Sequence, residues 1–134
     1  MNKFELDELE YQVTGACIEV HQALGPGLLE SVYHKCLKWE LQIRRIPFLS
    51  EQSVKVNYKN NVLDTDLRVD LFIRNTLVVE LKSVDSLLPI HDAQVLTYMK
   101  LLKAPKGLLI NFNSANLVQF GKRSFVNEYY RLIS

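Results

Sequence analysis

Apolar side chains recur by threes and fours at the start of the chain. Leu6, Leu9, Val13, Ala16, Val20 and Leu24 fall on one face of a helix, because an α-helix repeats about every 3.6 residues. Gly25-Pro26-Gly27 ends the run, since proline lacks an amide donor and glycine lets the chain turn. A second helix is predicted from about Leu28 to Arg45, with Leu28, Val32, Cys36, Trp39 and Ile43 as its buried stripe and Pro47 closing it. The two helices are expected to pair as a hairpin.

After Pro47 the period changes to two. Val54, Val56 and Tyr58 alternate with Ser53, Lys55, Asn57 and Lys59, the pattern of a strand with one wet face. Asn60-Asn61 supplies a turn, because asparagine tolerates positive φ. A longer strand, roughly Val62 to Ile73, leads through Arg74-Asn75 into a third, Leu77 to Lys82. Pro89 suits the first turn of a helix reaching about Leu102. Ala104-Pro105 breaks that helix, and the run from Gly107 to Phe112 reads as a fully buried strand. The tail from Leu117 to Leu132 fits strand or helix equally. No repeat, low-complexity tract or linker divides the chain. A helical crossover makes the last strand parallel to one of the meander strands. The expected architecture is α/β, a mixed four-stranded sheet flanked by helices in the order α-α-β-β-β-α-β, forming one domain over residues 1–134.

Composition narrows the class. Of 134 residues, 48% are hydrophobic and 23% charged, the balance of a globular chain rather than a disordered one. Sixteen Lys and Arg nearly cancel fifteen Asp and Glu. The overall field is weak, which argues against a protein that coats DNA but leaves a nucleic-acid enzyme open. The segment from Met1 to Glu8 is acidic and lacks the apolar centre of a signal peptide. No apolar run is long enough to cross a bilayer, so no membrane partner is expected. Cys17 and Cys36 show neither metal spacing nor a CxxC pair. Both read as reduced thiols on apolar helix stripes, and a cytoplasmic location is expected.

The chemistry concentrates on two strands. Glu80 and Lys82 are two apart among Val78, Val79 and Leu81, so both point to one face of an interior strand. Charges there are expensive unless paired or employed. Asp70, between Val69 and Leu71, is a second acid in an apolar strand. It faces Glu80 if Ile73 pairs with Leu77 across a three-residue loop. A two-residue loop would set Asp70 against Val79 and the acids on opposite faces. Two carboxylates on one face make a hard-oxygen site for Mg²⁺ or Mn²⁺. For a lone E-x-K, a self-satisfied ion pair is the ordinary explanation; Asp70 on the neighbouring strand tips the reading toward a site.

The stretch Gly25-Pro26-Gly27-Leu28-Leu29-Glu30-Ser31-Val32-Tyr33 resembles the signature of the GxxExxY family, with Gly27, Glu30 and Tyr33 in the named places. Leu67-Arg68-Val69-Asp70, Val79-Glu80-Leu81-Lys82 and the block from Pro89 to Tyr98 resemble its later motifs. The similarity runs from about residue 10 to residue 127. That family is placed in the PD-(D/E)XK nuclease superfamily, so the resemblance implies a restriction-endonuclease-like core. It implies Asp70, Glu80 and Glu30 as metal ligands, Lys82 as the catalytic lysine and Gln94 as the helix-borne polar residue completing the site. Val69 stands where the wider superfamily often has proline.

The residues themselves support these roles unequally. Glu30 and Tyr33 share a helix face with His34 and Leu37, and the plain reading of Glu30 is a first-turn acid favoured by the helix dipole. His91, Gln94 and Tyr98 share another face. Tyr33, Tyr98 and His91 are candidate substrate contacts, although for His91 a polar helix edge is the preferred reading. His21 and His34 lack metal spacing. Lys35, Lys38, Gln42 and Arg45, then Lys100, Lys103 and Lys106, then Lys122-Arg123 are clusters suited to phosphate, though solvated helix faces look the same. The leading expectation is a Mg²⁺-dependent phosphodiesterase acting on DNA or RNA. The alternative is a catalytically silent domain that binds nucleic acid or a protein partner. A homodimer built on apolar surface around Trp39 is compatible with either.

Overall fold

Asn2 opens the first helix, its side-chain oxygen accepting from the Glu5 N–H at 2.8 Å, which satisfies an amide that has no partner inside the helix. In the computed structural model, which describes residues 1–134, α1 spans Lys3–Leu24. Leu6, Leu9, Val13, Ala16 and Val20 are buried as their spacing predicts, joined by Cys17. Gly25 and Gly27 both have positive φ, 69° and 98°, a backbone that glycine adopts without strain, and they turn the chain into α2, Glu30–Ile43.

The face that α2 buries differs from the sequence expectation. Tyr33, Leu37 and Leu41 are fully buried, while Trp39 is 68% exposed and Ile43 61%. Val32 also points outward and Cys36 is half-buried. The helix carries two apolar stripes, and Tyr33 decides between them. Its ring stacks on Phe112 with centroids 4.5 Å apart. Its hydroxyl donates to the Gly25 carbonyl at 2.6 Å and accepts from the Leu28 N–H at 3.2 Å.

The region after α2 is more broken than the alternation predicts. β1 is Phe48–Ser53. β2, Val56–Tyr58, and β3, Asn61–Leu63, form a separate hairpin. It turns on Lys59 and Asn60, both at positive φ, rather than on Asn60-Asn61. The expected long strand from Val62 is interrupted before β4, Arg68–Ile73. There Thr65 Oγ1 donates to the Val54 carbonyl at 2.6 Å and accepts from the Leu67 N–H at 3.1 Å, so a side chain replaces the ladder.

β5, Leu77–Lys82, is antiparallel to β4, and α3, Pro89–Leu102, crosses over to β6, Lys106–Asn111, parallel to β5. The ambiguous tail becomes a single π-helical turn, Leu117–Gly121, then β7, Lys122–Val126, and a short α4, Glu128–Arg131. The sheet therefore has five strands instead of four, ordered β1-β4-β5-β6-β7.

α1 and α2 cover one face of this sheet over Leu71, Ile73, Val79, Leu81, Leu108 and Ile110. α3 covers the other over Phe72, Val78 and Leu109. It sits close because Gly107 has no side chain: a Cβ there would lie 2.5 Å from Met99 Sδ and 2.8 Å from Val95 Cγ1. No helix is long and apolar enough to cross a membrane.

Candidate active site

The turn between β4 and β5 sets the site. Arg74 and Asn75 both adopt positive φ, 49° and 55°, and the Thr76 N–H closes onto the Ile73 carbonyl at 3.0 Å. Pairing then runs Ile73 with Leu77, Phe72 with Val78 and Leu71 with Val79. One step further, Asp70 meets Glu80, and the regular ladder stops. The Asp70 N–H donates to Glu80 Oε1 at 2.9 Å, and the Leu81 N–H donates to Asp70 Oδ2 at 2.8 Å. Each carboxylate thus replaces a carbonyl as acceptor, and each keeps a second oxygen without a protein donor.

Burial governs the electrostatics. Glu80, only 4% exposed, is pushed up to about 8 by desolvation and then by the neighbouring Asp70 charge. Desolvation also raises Asp70, against the Leu81 amide and the His34 and Lys82 charges that lower it. Glu30, at the first residue of α2, is raised by desolvation and by Asp70. Lys82 is the cation common to all three acids. One lysine offsets only part of the cost of three crowded carboxylates, so the site favours further positive charge.

The acids Asp70, Glu80 and Glu30 are nevertheless not drawn into a three-residue metal cluster. Asp70 opposes the ionisation of both Glu80 and Glu30. The oxygen-only donor set of Asp70 and Glu80 fits a hard divalent cation, and Glu30 stands beside that pair.

α3 closes the site from its own side of the sheet. Gln94 Nε2 donates to the Tyr98 hydroxyl at 3.2 Å, and Tyr98 is raised by burial and by the charges of Glu80 and Asp70. Two candidate contacts have other work. Tyr33 is fully buried and pins the Gly25–Leu28 loop, so it cannot meet a substrate; it orients the segment that presents Glu30. His91 Nδ1 accepts from the Leu88 N–H at 3.0 Å and so caps the start of α3.

The basic clusters also divide. Lys106 is buried against Asp7 at 2.5 Å and Glu10 at 2.7 Å, Lys122 meets Glu10 at 2.9 Å, and Arg123 meets Asp92 at 2.6 Å. These are internal pairs rather than free phosphate contacts.

Four residues near the site were not singled out as site residues by the sequence reading. His34 and Glu51 both act on Asp70 electrostatically; His34 was visible only as the i+4 neighbour of Glu30. Asn111 is buried and holds the loop after β5. Its Oδ1 accepts from the Val84 N–H at 3.1 Å and its Nδ2 donates to the Val84 carbonyl at 2.9 Å. Ser83 Oγ donates to the Leu28 carbonyl at 2.6 Å, tying the same loop to the glycine turn.

The model of one family, described as the PD-(D/E)XK nuclease superfamily, matches residues 7–124. Nothing among curated proteins or solved structures matches. The matched span runs from α1 into β7 and contains the carboxylate brace, Lys82 and the crossover helix. The chain belongs to the PD-(D/E)XK nuclease superfamily.

Proposed function

We propose that this protein is a Mg²⁺- or Mn²⁺-dependent nuclease that hydrolyses phosphodiester bonds in DNA or RNA. The observation that carries the reading is the Asp70–Glu80 brace, two desolvated carboxylates with free oxygens beside Lys82. Asp70 and Glu80 would hold the cation, which supplies Lewis acidity and lowers the pKa of bound water. Lys82 stabilises negative charge that develops on the phosphoryl oxygens. Glu30 adds a second carboxylate face, and Gln94 holds the Tyr98 hydroxyl by a hydrogen bond. Two thiols without a disulfide, Cys17 and Cys36, fit a reducing cytoplasm.

Divalent-ion-dependent cleavage of mixed single- and double-stranded DNA and RNA tests the reading. Wild type should cut, while Asp70→Asn and Lys82→Ala should lose about two or more orders of magnitude. No cleavage by wild type under any divalent ion, or equal cleavage by all three proteins, refutes it.

One observation favours a second reading. The net charge is only +1, as suits a nuclease-fold domain that binds nucleic acid or a protein without cutting. Calorimetric titration with Mn²⁺ separates the two, since binding abolished by Asp70→Asn belongs to the nuclease reading alone.

A further inference from the structure

A cavity of about 480 Å³ opens just beyond the carboxyl ends of the parallel strands β5 and β6, bounded by Asp85, Ser86, Asn113, Ser114, Phe120 and Arg123. Ligands bind preferentially at this end of parallel strands, and the volume lies in the range of small-molecule sites. Asn111, the β6 partner of Lys82, also lines the cavity, and Asp85 follows Lys82 by three residues, a reach of no more than about 11 Å of chain, so the cavity lies on the Lys82 side of the site.

Phe120 is 64% exposed, yet its backbone is tightly held. It sits in the π-helical turn Leu117–Gly121, whose start is capped by Asn116 Oδ1 accepting from the Gln119 N–H at 3.0 Å. Gly121 lets that turn press on the cavity wall: a Cβ there would fall 2.5 Å from the Asn111 carbonyl and 2.4 Å from Ser114 Oγ. An isolated π-helical turn is an uncommon way to build a loop. A hydrogen-bonded turn thus presents an exposed aromatic ring beside a polar cavity.

The charges choose among ligands. Asp85 carries a negative charge into the cavity wall, and the Arg123 guanidinium is already bonded to Asp92 at 2.6 Å. A phosphate would meet the Asp85 charge and a guanidinium already paired with Asp92. A neutral ring with hydrogen-bonding edges meets an aromatic face for stacking and hydroxyl, amide and carboxylate groups for its edge.

We propose that this cavity is a base-binding subsite, in which Phe120 stacks on an unpaired nucleobase flanking the scissile phosphate while Ser86 and Asn113 contact its edge. The inference rests on the nuclease reading and names its substrate class as nucleic acid with an unpaired base at the cut.

The test uses the full chain with Ca²⁺ and an end-labelled single-stranded oligodeoxynucleotide carrying 2-aminopurine, read by anisotropy and by base emission. Wild type should bind and quench the emission. Phe120→Ala should weaken binding by about tenfold or more and restore emission, Phe120→Leu should behave like Phe120→Ala, and Phe120→Trp should match wild type. Binding of a blunt duplex should be equal in all four. Equal binding of the single strand by all four proteins, or an equal loss on the duplex, overturns the subsite; cleavage by wild type then still upholds the nuclease reading. A wild type that cleaves but does not bind the single strand overturns the subsite alone, and one that neither binds nor cleaves removes both.

Discussion

Asp70 and Glu80 exchange backbone bonds across the end of the β4–β5 ladder. The Asp70 N–H donates to Glu80 Oε1 at 2.9 Å, while Asp70 Oδ2 takes the next amide along, that of Leu81, at 2.8 Å. The brace fixes both carboxylates at one height on the sheet. It also leaves two acids in a low-dielectric setting, where ionisation costs stability.

The pH dependence of metal-free protein follows from that cost. Glu80 titrates at about 8 when folded against a usual value of 4.5, so between these values the folded state holds more protons than the unfolded. The Glu80 contribution to stability is then most favourable below pH 4.5, declines as pH rises through the window and is least favourable above pH 8. Glu80→Gln keeps an oxygen for the Asp70 N–H and removes the charge. In EDTA, melting of wild type should fall across this window by more than that of Glu80→Gln, with the variant the more stable at high pH. Added Mn²⁺ should raise the wild-type melting temperature alone; a wild type that melts no lower at pH 8 than at pH 5 contradicts the assignment.

Tyr33 links the core to the site. Tyr33→Phe keeps the stacking on Phe112 but leaves the Gly25 carbonyl and Leu28 N–H without their partner, at a cost of about 1–2 kcal/mol. Because the Gly25–Leu28 turn leads into Glu30, cleavage should fall as well. Denaturant melts read the first effect and cleavage rates the second. A variant with full activity and lower stability would confine Tyr33 to a packing role.

The two stripes of α2 differ in what they contribute. Leu37→Ala opens a cavity under a fully buried side chain and should cost about 2–5 kcal/mol. Trp39→Ala, at an exposed position, should change stability by no more than about 0.5 kcal/mol. A large loss from the Trp39 change in dilute protein would mean that the ring is covered in solution, which light scattering would register as a dimer.

Lys106 holds α1 to the sheet through Asp7 and Glu10. Hydrogen bonds from Lys106 hold Asp7 below its usual 3.8, and bonds from Lys106 and Lys122 outweigh burial to hold Glu10 below 4.5. Their contribution to stability is present above those values and is lost as pH falls through the depressed ones. Lys106→Met should cost about 3 kcal/mol at neutral pH, because Glu10 is left half-buried with one partner fewer. Its acid unfolding should also be shallower than that of wild type. Parallel acid profiles for the two proteins would show that the pairs do not drive it.

Local sequence determined the features that depend on near neighbours. The α1 stripe from Leu6 to Val20 follows from helical period alone. The parallel arrival of β6 follows from a helical crossover. The facing of Asp70 and Glu80 hung on a turn of three residues, and the pattern named that condition without choosing it. Tertiary structure made the choice, because the register also has to place Leu71 and Ile73 under α1 and α2. It likewise decided which stripe of α2 is buried, since both are apolar and only the fit of Tyr33 against Phe112 distinguishes them. β7 was illegible because its five residues, Lys122–Val126, gain strand character only from the exposed edge of β6. The pairing of Lys106 with Asp7 joins residues 99 apart in the chain, a separation at which no periodic pattern carries information. Asp70, Glu80 and Lys82 were legible for the opposite reason: a charge inside an apolar strand stands out in the sequence itself, because burying it costs free energy in any fold.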